Sequence, residues 1–368
     1  MFLGMLFPAT AQDAFWTPTS YQGAFPVTDG TPATDWTSGW SNFDPENTAY
    51  PATTTTVSSD ITSNTTWSGV ILLVNKVYVK NNATLTIQPG TIIRGDKLSQ
   101  ATLIITRGAK INALGTAASP IVFTSNEAVG NRNEGDWGGL VILGLAKNNQ
   151  PGGVVNIEGI PPTTDTQHGG NFDNDNSGIL QYVRVEFAGI PLEPNKEING
   201  ITFGSVGFGT TVDHLQVSFS GDDSYEWFGG TVNCKYLIAY RGIDDDFDTD
   251  FGYSGKVQFG LSVRDPQIAD NSYSLPSGGS TSEGFESDND ANGSYLFPRT
   301  SATFSNFTMI GPFRGNNAST VHPAFRRGAR IRRNSALKII NSVISDWATG
   351  FMLDGVACEN NAIANSPD

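Results

Sequence analysis

Nine acidic side chains crowd the stretch from residue 213 to residue 250: Asp213, Asp222, Asp223, Glu226, Asp244, Asp245, Asp246, Asp248 and Asp250. Only Lys235 and Arg241 answer them with fixed positive charge. Asp222 and Asp244 are 22 residues apart, and so are Asp223 and Asp245. In a chain that coils back on itself at that period, these pairs stack. Carboxylates held ~5 Å apart repel and cannot all stay charged cheaply. A divalent cation relieves the repulsion, and an oxygen-rich cluster of flexible geometry suits Ca²⁺. Arginines can do the same. A carboxyl can instead keep its proton, which is how acid/base pairs arise. The plain alternative is that the acids point outward at turns and are solvated. The expected metal ligands are Asp222, Asp223, Glu226, Asp244, Asp245, Asp246, Asp248 and Asp250.

The same carboxylates could serve an enzyme. An inverting glycosidase needs two of them about 6.5–9.5 Å apart, and Asp222, Asp223 and Asp245 are the candidates. Residues 220–223 (SGDD) faintly resemble the Gly-Asp-Asp of polygalacturonases, but that family's Gly-His-Gly is absent. A lyase would use Ca²⁺ to hold an acidic sugar and an Arg or Lys as base. No Gly-x-Ser-x-Gly elbow, no paired His or Cys for zinc and no phosphate loop is present.

Other segments carry weaker signals. Residues 171–178 (NFDNDNSG) and 286–290 (ESDND) resemble Asp/Asn-rich calcium loops or ordinary Asx turns. Arg326, Arg327, Arg330, Arg332 and Arg333 fall within eight residues. Strand alternation puts Arg330 and Arg332 on one face, either to pair with the acids or to bind an anionic ligand. Trp137 and Trp227 are candidate sugar-stacking platforms, or covers for a core edge.

The elements that must position these residues follow from a repeat. Residues 180–189 (LQYVRVEFAG), 212–221 (VDHLQVSFSG) and 234–242 (CKYLIAYRG) resemble one another. Short β-rich runs punctuated by Gly, Asn and Pro extend from residue 61 onward, which is the pattern of strands and turns. A period of about 21–23 residues fits one coil of a right-handed parallel β-helix, an all-β solenoid in which stacked coils share a core that no single coil could bury. A β-sandwich is the structural rival. Insertions are expected at residues 190–200, 266–300 and 312–335. The run at residues 360–364 reads as a coil cut short, so the chain is expected to continue.

Residues 1–11 (MFLGMLFPATA) read as the remnant of a secretory signal peptide. Residues 12–60, with Trp16, Trp36 and Trp40, read as an extended arm packing on the solenoid of residues 61–368. Cys234 and Cys358 are 124 residues apart, several coils, and so read as separate buried thiols rather than a disulfide. The net charge of −14 argues against nucleic acid and anionic membrane surfaces. No stretch reaches the length of a membrane span.

Residues 220–233, 241–252 and 284–290, with Gly135-Asp136-Trp137-Gly138-Gly139, resemble a family of exported β-helix proteins of Bacteroidota and other Gram-negative bacteria, some carrying type IX secretion tails. The resemblance covers roughly residues 60–365. It implies a β-helix on the cell surface or outside the cell, and no established reaction. The expected function is non-catalytic binding of a glycan or an envelope or surface protein along one β-helix face, with Ca²⁺ bracing the acidic turns. The alternatives are a polysaccharide hydrolase or lyase, and a structural component of an envelope complex or filament.

Overall fold

The computed structural model describes residues 13–26, 35–193, 196–274 and 280–364. The expected signal peptide lies outside the described residues. The fold is a right-handed parallel β-helix with two large parallel sheets, of 14 and 9 strands.

Each rung of the second sheet is a short strand of three to five residues, along which successive side chains point to opposite faces. Lys76–Val79 (KVYV) buries Val77 and Val79 completely and turns Lys76 and Tyr78 outward. Parallel register then stacks like on like from coil to coil. Inside, Leu140, Ile201, Tyr225, Phe247 and Phe285 form one column. Its aromatic members Tyr225, Phe247 and Phe285 lie 5.5 and 5.3 Å from ring to ring. Buried apolar surface of this extent supplies the main driving force for the fold.

In the first sheet Val212 pairs with Cys234, and Cys234 with Val257, giving coil steps of 22 and 23 residues. The step from Leu180 to Val212 is 32. The extra length is a hairpin of strands Pro191–Glu193 and Lys196–Glu197 within the expected insertion.

Three expectations need correction. Residues 266–300 and 312–335 are not pure insertions: Phe285–Ser287 and Arg330–Arg332 are regular rungs of the second sheet, set in lengthened coils. Residues 360–364 are not a strand but part of a helix, Val356–Ala364. Their alanines favour helix over strand. The solenoid begins before residue 61, because Thr55–Val57 already pairs in parallel with Val70–Leu73.

The arm crosses the outer face of the first sheet. Trp36 and Trp40 pack edge-on against His214, which is stacked between Tyr182 and Tyr236 at 4.4 and 4.3 Å. Gln216 and Gln258 each pair with the arm backbone through both ends of the amide, at Asn42 and Thr17. Cys234 and Cys358 are buried free thiols.

Candidate carboxylate cleft

Two turns that leave the first sheet carry the acids into the second. Ser220-Gly221-Asp222-Asp223-Ser224 leads into the rung Tyr225–Phe228. One coil on, Gly242-Ile243-Asp244-Asp245-Asp246 leads into Phe247–Asp250. The Asp245 backbone N–H donates to Asp223 Oδ1 at 2.8 Å, and the Glu283 N–H donates to Asp245 Oδ1 at 2.6 Å. Each of these carboxylates therefore ties down the next coil with one oxygen and leaves the other for the cleft.

Beyond the turns, the outward positions of the rungs continue the stack. Thr202, Glu226, Asp248, Glu286 and Arg330 form one column. The outward face of this sheet thus runs from apolar (Tyr78, Ile104, Val141) through acidic to basic.

The cleft encloses about 670 Å³. Three groups of carboxylates bring oxygens within 4.8 Å of one another: Asp222, Asp223 and Asp244; Asp223, Glu226 and Asp248; and Asp245, Asp248 and Glu286. Asp223 and Asp248 are each shared by two groups, so the three form one chain. Burial, then repulsion from neighbouring carboxylates, pushes Asp223, Glu226, Asp244 and Asp245 well above the ordinary carboxylate range. Asp248 and Glu286 are likewise raised, chiefly by burial, although Arg332 opposes the rise. Oδ1 of Asp244 and Oδ1 of Asp248 are buried without a hydrogen-bond partner among the described residues. A buried, unpaired carboxylate oxygen is costly, and a cation would satisfy it. Hard carboxylate donors without His or Cys suit Ca²⁺ rather than zinc or copper.

Several expected site residues fall elsewhere. Asp246 turns into the core, fully buried, beside Ser262 and 3.1 Å from Arg264 Nε. Burial raises it to about 6 against the pull of Arg264. It is a buried ion pair, not a cleft ligand. Asp250 stands in the neighbouring outward column, after Phe228, and belongs to none of the three groups.

Asp265, about one coil beyond Asp244 and Asp245, does not line the cleft but lies 3.6 Å from Arg241. Trp137 and Trp227 cannot stack on a sugar, because both are fully buried in the main core. Trp227 lies against Phe203, and Trp137 Nε1 donates to the Glu186 carbonyl. Asp173 and Asp175 of the Asn-rich loop are spent on Lys147 and on Ser177.

The arginines pair internally. Arg330 meets Asp354 at 2.7 Å, and Arg333 meets Asp288 at 2.6 Å. Arg332 bridges Glu286 and Asp288. Arg332 and Arg333 still line the basic end of the cleft, whereas Arg330 does not.

Glu158 and Asp270 also line it, and no period marked them out, since both sit on long excursions between rungs. Glu286 could have been found only by recognising its rung inside a lengthened coil.

Residues 55–367 match the family described as a pectate-lyase-like β-helix domain, and the chain belongs to that family. No curated protein and no solved structure matches it.

Proposed function

We propose that this is a glycan-binding β-helix of the cell surface or extracellular space whose carboxylate cleft holds calcium. One observation carries the reading: three carboxylate groups, linked through Asp223 and Asp248, line a single cavity. Left bare, that cavity repels anions and is itself strained by repulsion between its walls. Loaded with divalent cations, it presents open coordination positions to hydroxyl or carboxylate oxygens of a sugar chain. The surface position rests on the resemblance to exported β-helix proteins of Gram-negative bacteria and on the sparsely charged, Asn- and Thr-rich sequence.

Terbium luminescence and calorimetric calcium titration test the cation part directly. Saturable binding that Asp223→Asn and Asp248→Asn weaken supports it; no binding at millimolar calcium overturns it. A panel of neutral and acidic polysaccharides, with and without calcium, tests the glycan part.

A second reading is favoured by the raised carboxyls of Asp248 and Glu286. Protonated side chains in a cleft are candidate general acids, and the family's lyase-like character points the same way. On that reading Asp222, Asp223 and Asp245 belong to a hydrolase or lyase site. The same panel, assayed for new reducing ends and unsaturated products, separates the two readings.

A further inference from the structure

A second cavity, of about 550 Å³, lies beside the cleft and is lined by Lys76, Gln100, Asn156, Ile157, Ile160 and Phe251, among others. Its parts come from three places. Lys76 opens the rung Lys76–Val79, Phe251 follows the rung Phe247–Asp250, and residues 156–160 arrive on the excursion between rungs that also carries Glu158. Ile157 and Ile160 are buried in a small core with Ile104, Val141, Leu143 and Phe228, so the apolar floor is fixed. The Phe251 ring packs against Phe228 at 5.2 Å and remains half-buried. The size lies within the range of small-molecule sites.

Lys76 is the unusual member. Lys80, the next outward lysine along, is held by Asp60 and Asp165 at 2.6 and 3.2 Å. Lys76 has no hydrogen-bond or ion-pair partner among the described residues, in a chain where acids outnumber bases 36 to 22. Burial holds its amine below the ordinary lysine value. A cation left unpaired at the edge of an apolar pocket favours an anion there.

We propose that this pocket is a ligand site in its own right, distinct from the carboxylate cleft. It takes a small molecule, or the end group of a larger one, that combines a flat apolar face with one anionic group. The flat face lies on Ile157, Ile160 and Phe251, and the anion pairs with Lys76. The amides of Gln100 and Asn156 supply polar contacts at the rim. Glu158 lines both cavities and repels the anion, so its charge works against binding.

The probe is 8-anilinonaphthalene-1-sulfonate, titrated by fluorescence into the full chain, with circular dichroism confirming the fold of each variant. The expected result is one saturable site, weakened tenfold or more in Lys76→Gln and equally tight or tighter in Glu158→Gln. Phe251→Leu, which keeps an apolar side chain, should lose severalfold. Absence of saturable binding, or Lys76→Gln binding as tightly as the parent, overturns the proposal.

Discussion

The Asp223 carboxylate accepts the backbone N–H of Asp245, one coil further along, at 2.8 Å. This bond makes Asp223 both a structural cross-tie and a cleft ligand, and two substitutions separate the roles. Asp223→Asn keeps an acceptor for the Asp245 N–H, so stability should change little while calcium binding falls. Asp223→Ala leaves that buried N–H unpaired and should cost about 1–3 kcal/mol in addition. Urea denaturation and calcium titration of the two variants, side by side, check this.

The raised carboxyls of Asp248 and Glu286 make stability fall as pH rises in the absence of calcium. Both groups hold their protons longer in the folded chain than in the unfolded one, where carboxylates titrate near 4. Between that value and the folded values of about 7 for Asp248 and about 8 for Glu286, the native state binds more protons. Stability is therefore fully present below about pH 4 and is lost as pH climbs through 7–8. Calcium binds the ionised form and should reverse the loss, by about 2.7 kcal/mol at a hundredfold excess over its Kd. Melting curves from pH 4 to 9, in chelator and in calcium, would show the two profiles diverging above neutrality; superimposable profiles would remove calcium from the cleft.

The repeat was legible in the sequence because coil length there is nearly constant: the 22-residue steps from Asp222 to Asp244 and from Asp223 to Asp245 reappear as stacked turns. The acidic face could have been read more closely from alternation alone. In Tyr225-Glu226-Trp227-Phe228, an outward Glu226 forces Trp227 inward, so the two could never share a surface. Asp246 is subtler, since Asp244, Asp245 and Asp246 look alike until Arg264 is known to lie beneath them. Glu158, Asp270 and Glu286 were out of reach of a period because long excursions between rungs bring them back, and excursion length carries no register.

The burial of Trp227 has its own consequence. Trp227→Phe removes ring volume from a column packed between Phe203 and Tyr253. It should lower stability by roughly 0.5–3 kcal/mol and leave any glycan affinity unchanged once the protein is folded. Affinity measured well below the melting temperature of the variant distinguishes this from a surface platform, whose loss would weaken binding and spare stability.

The most sensitive point beneath the cleft is Arg264. Its guanidinium is fully buried, pairs with Asp246, and donates to the carbonyls of Gly242, Asp244 and Glu283. Those carbonyls belong to the segments that present Asp244, Asp245 and Glu286. Phe325 and Trp347 lie 5.5 and 5.9 Å from the guanidinium carbon. Arg264→Ala removes the counter-charge of the buried Asp246 carboxyl and the donor to the Gly242 and Asp244 carbonyls, and breaking such a pair costs about 3–5 kcal/mol. Arg264→Lys keeps the charge but cannot reach Asp246 and three carbonyls from one ammonium, so it should restore only part of the stability. If Arg264 also holds the turns in register for the cleft, Arg264→Lys will bind calcium more weakly than the parent at temperatures where both are folded. Equal affinity would confine Arg264 to stability alone.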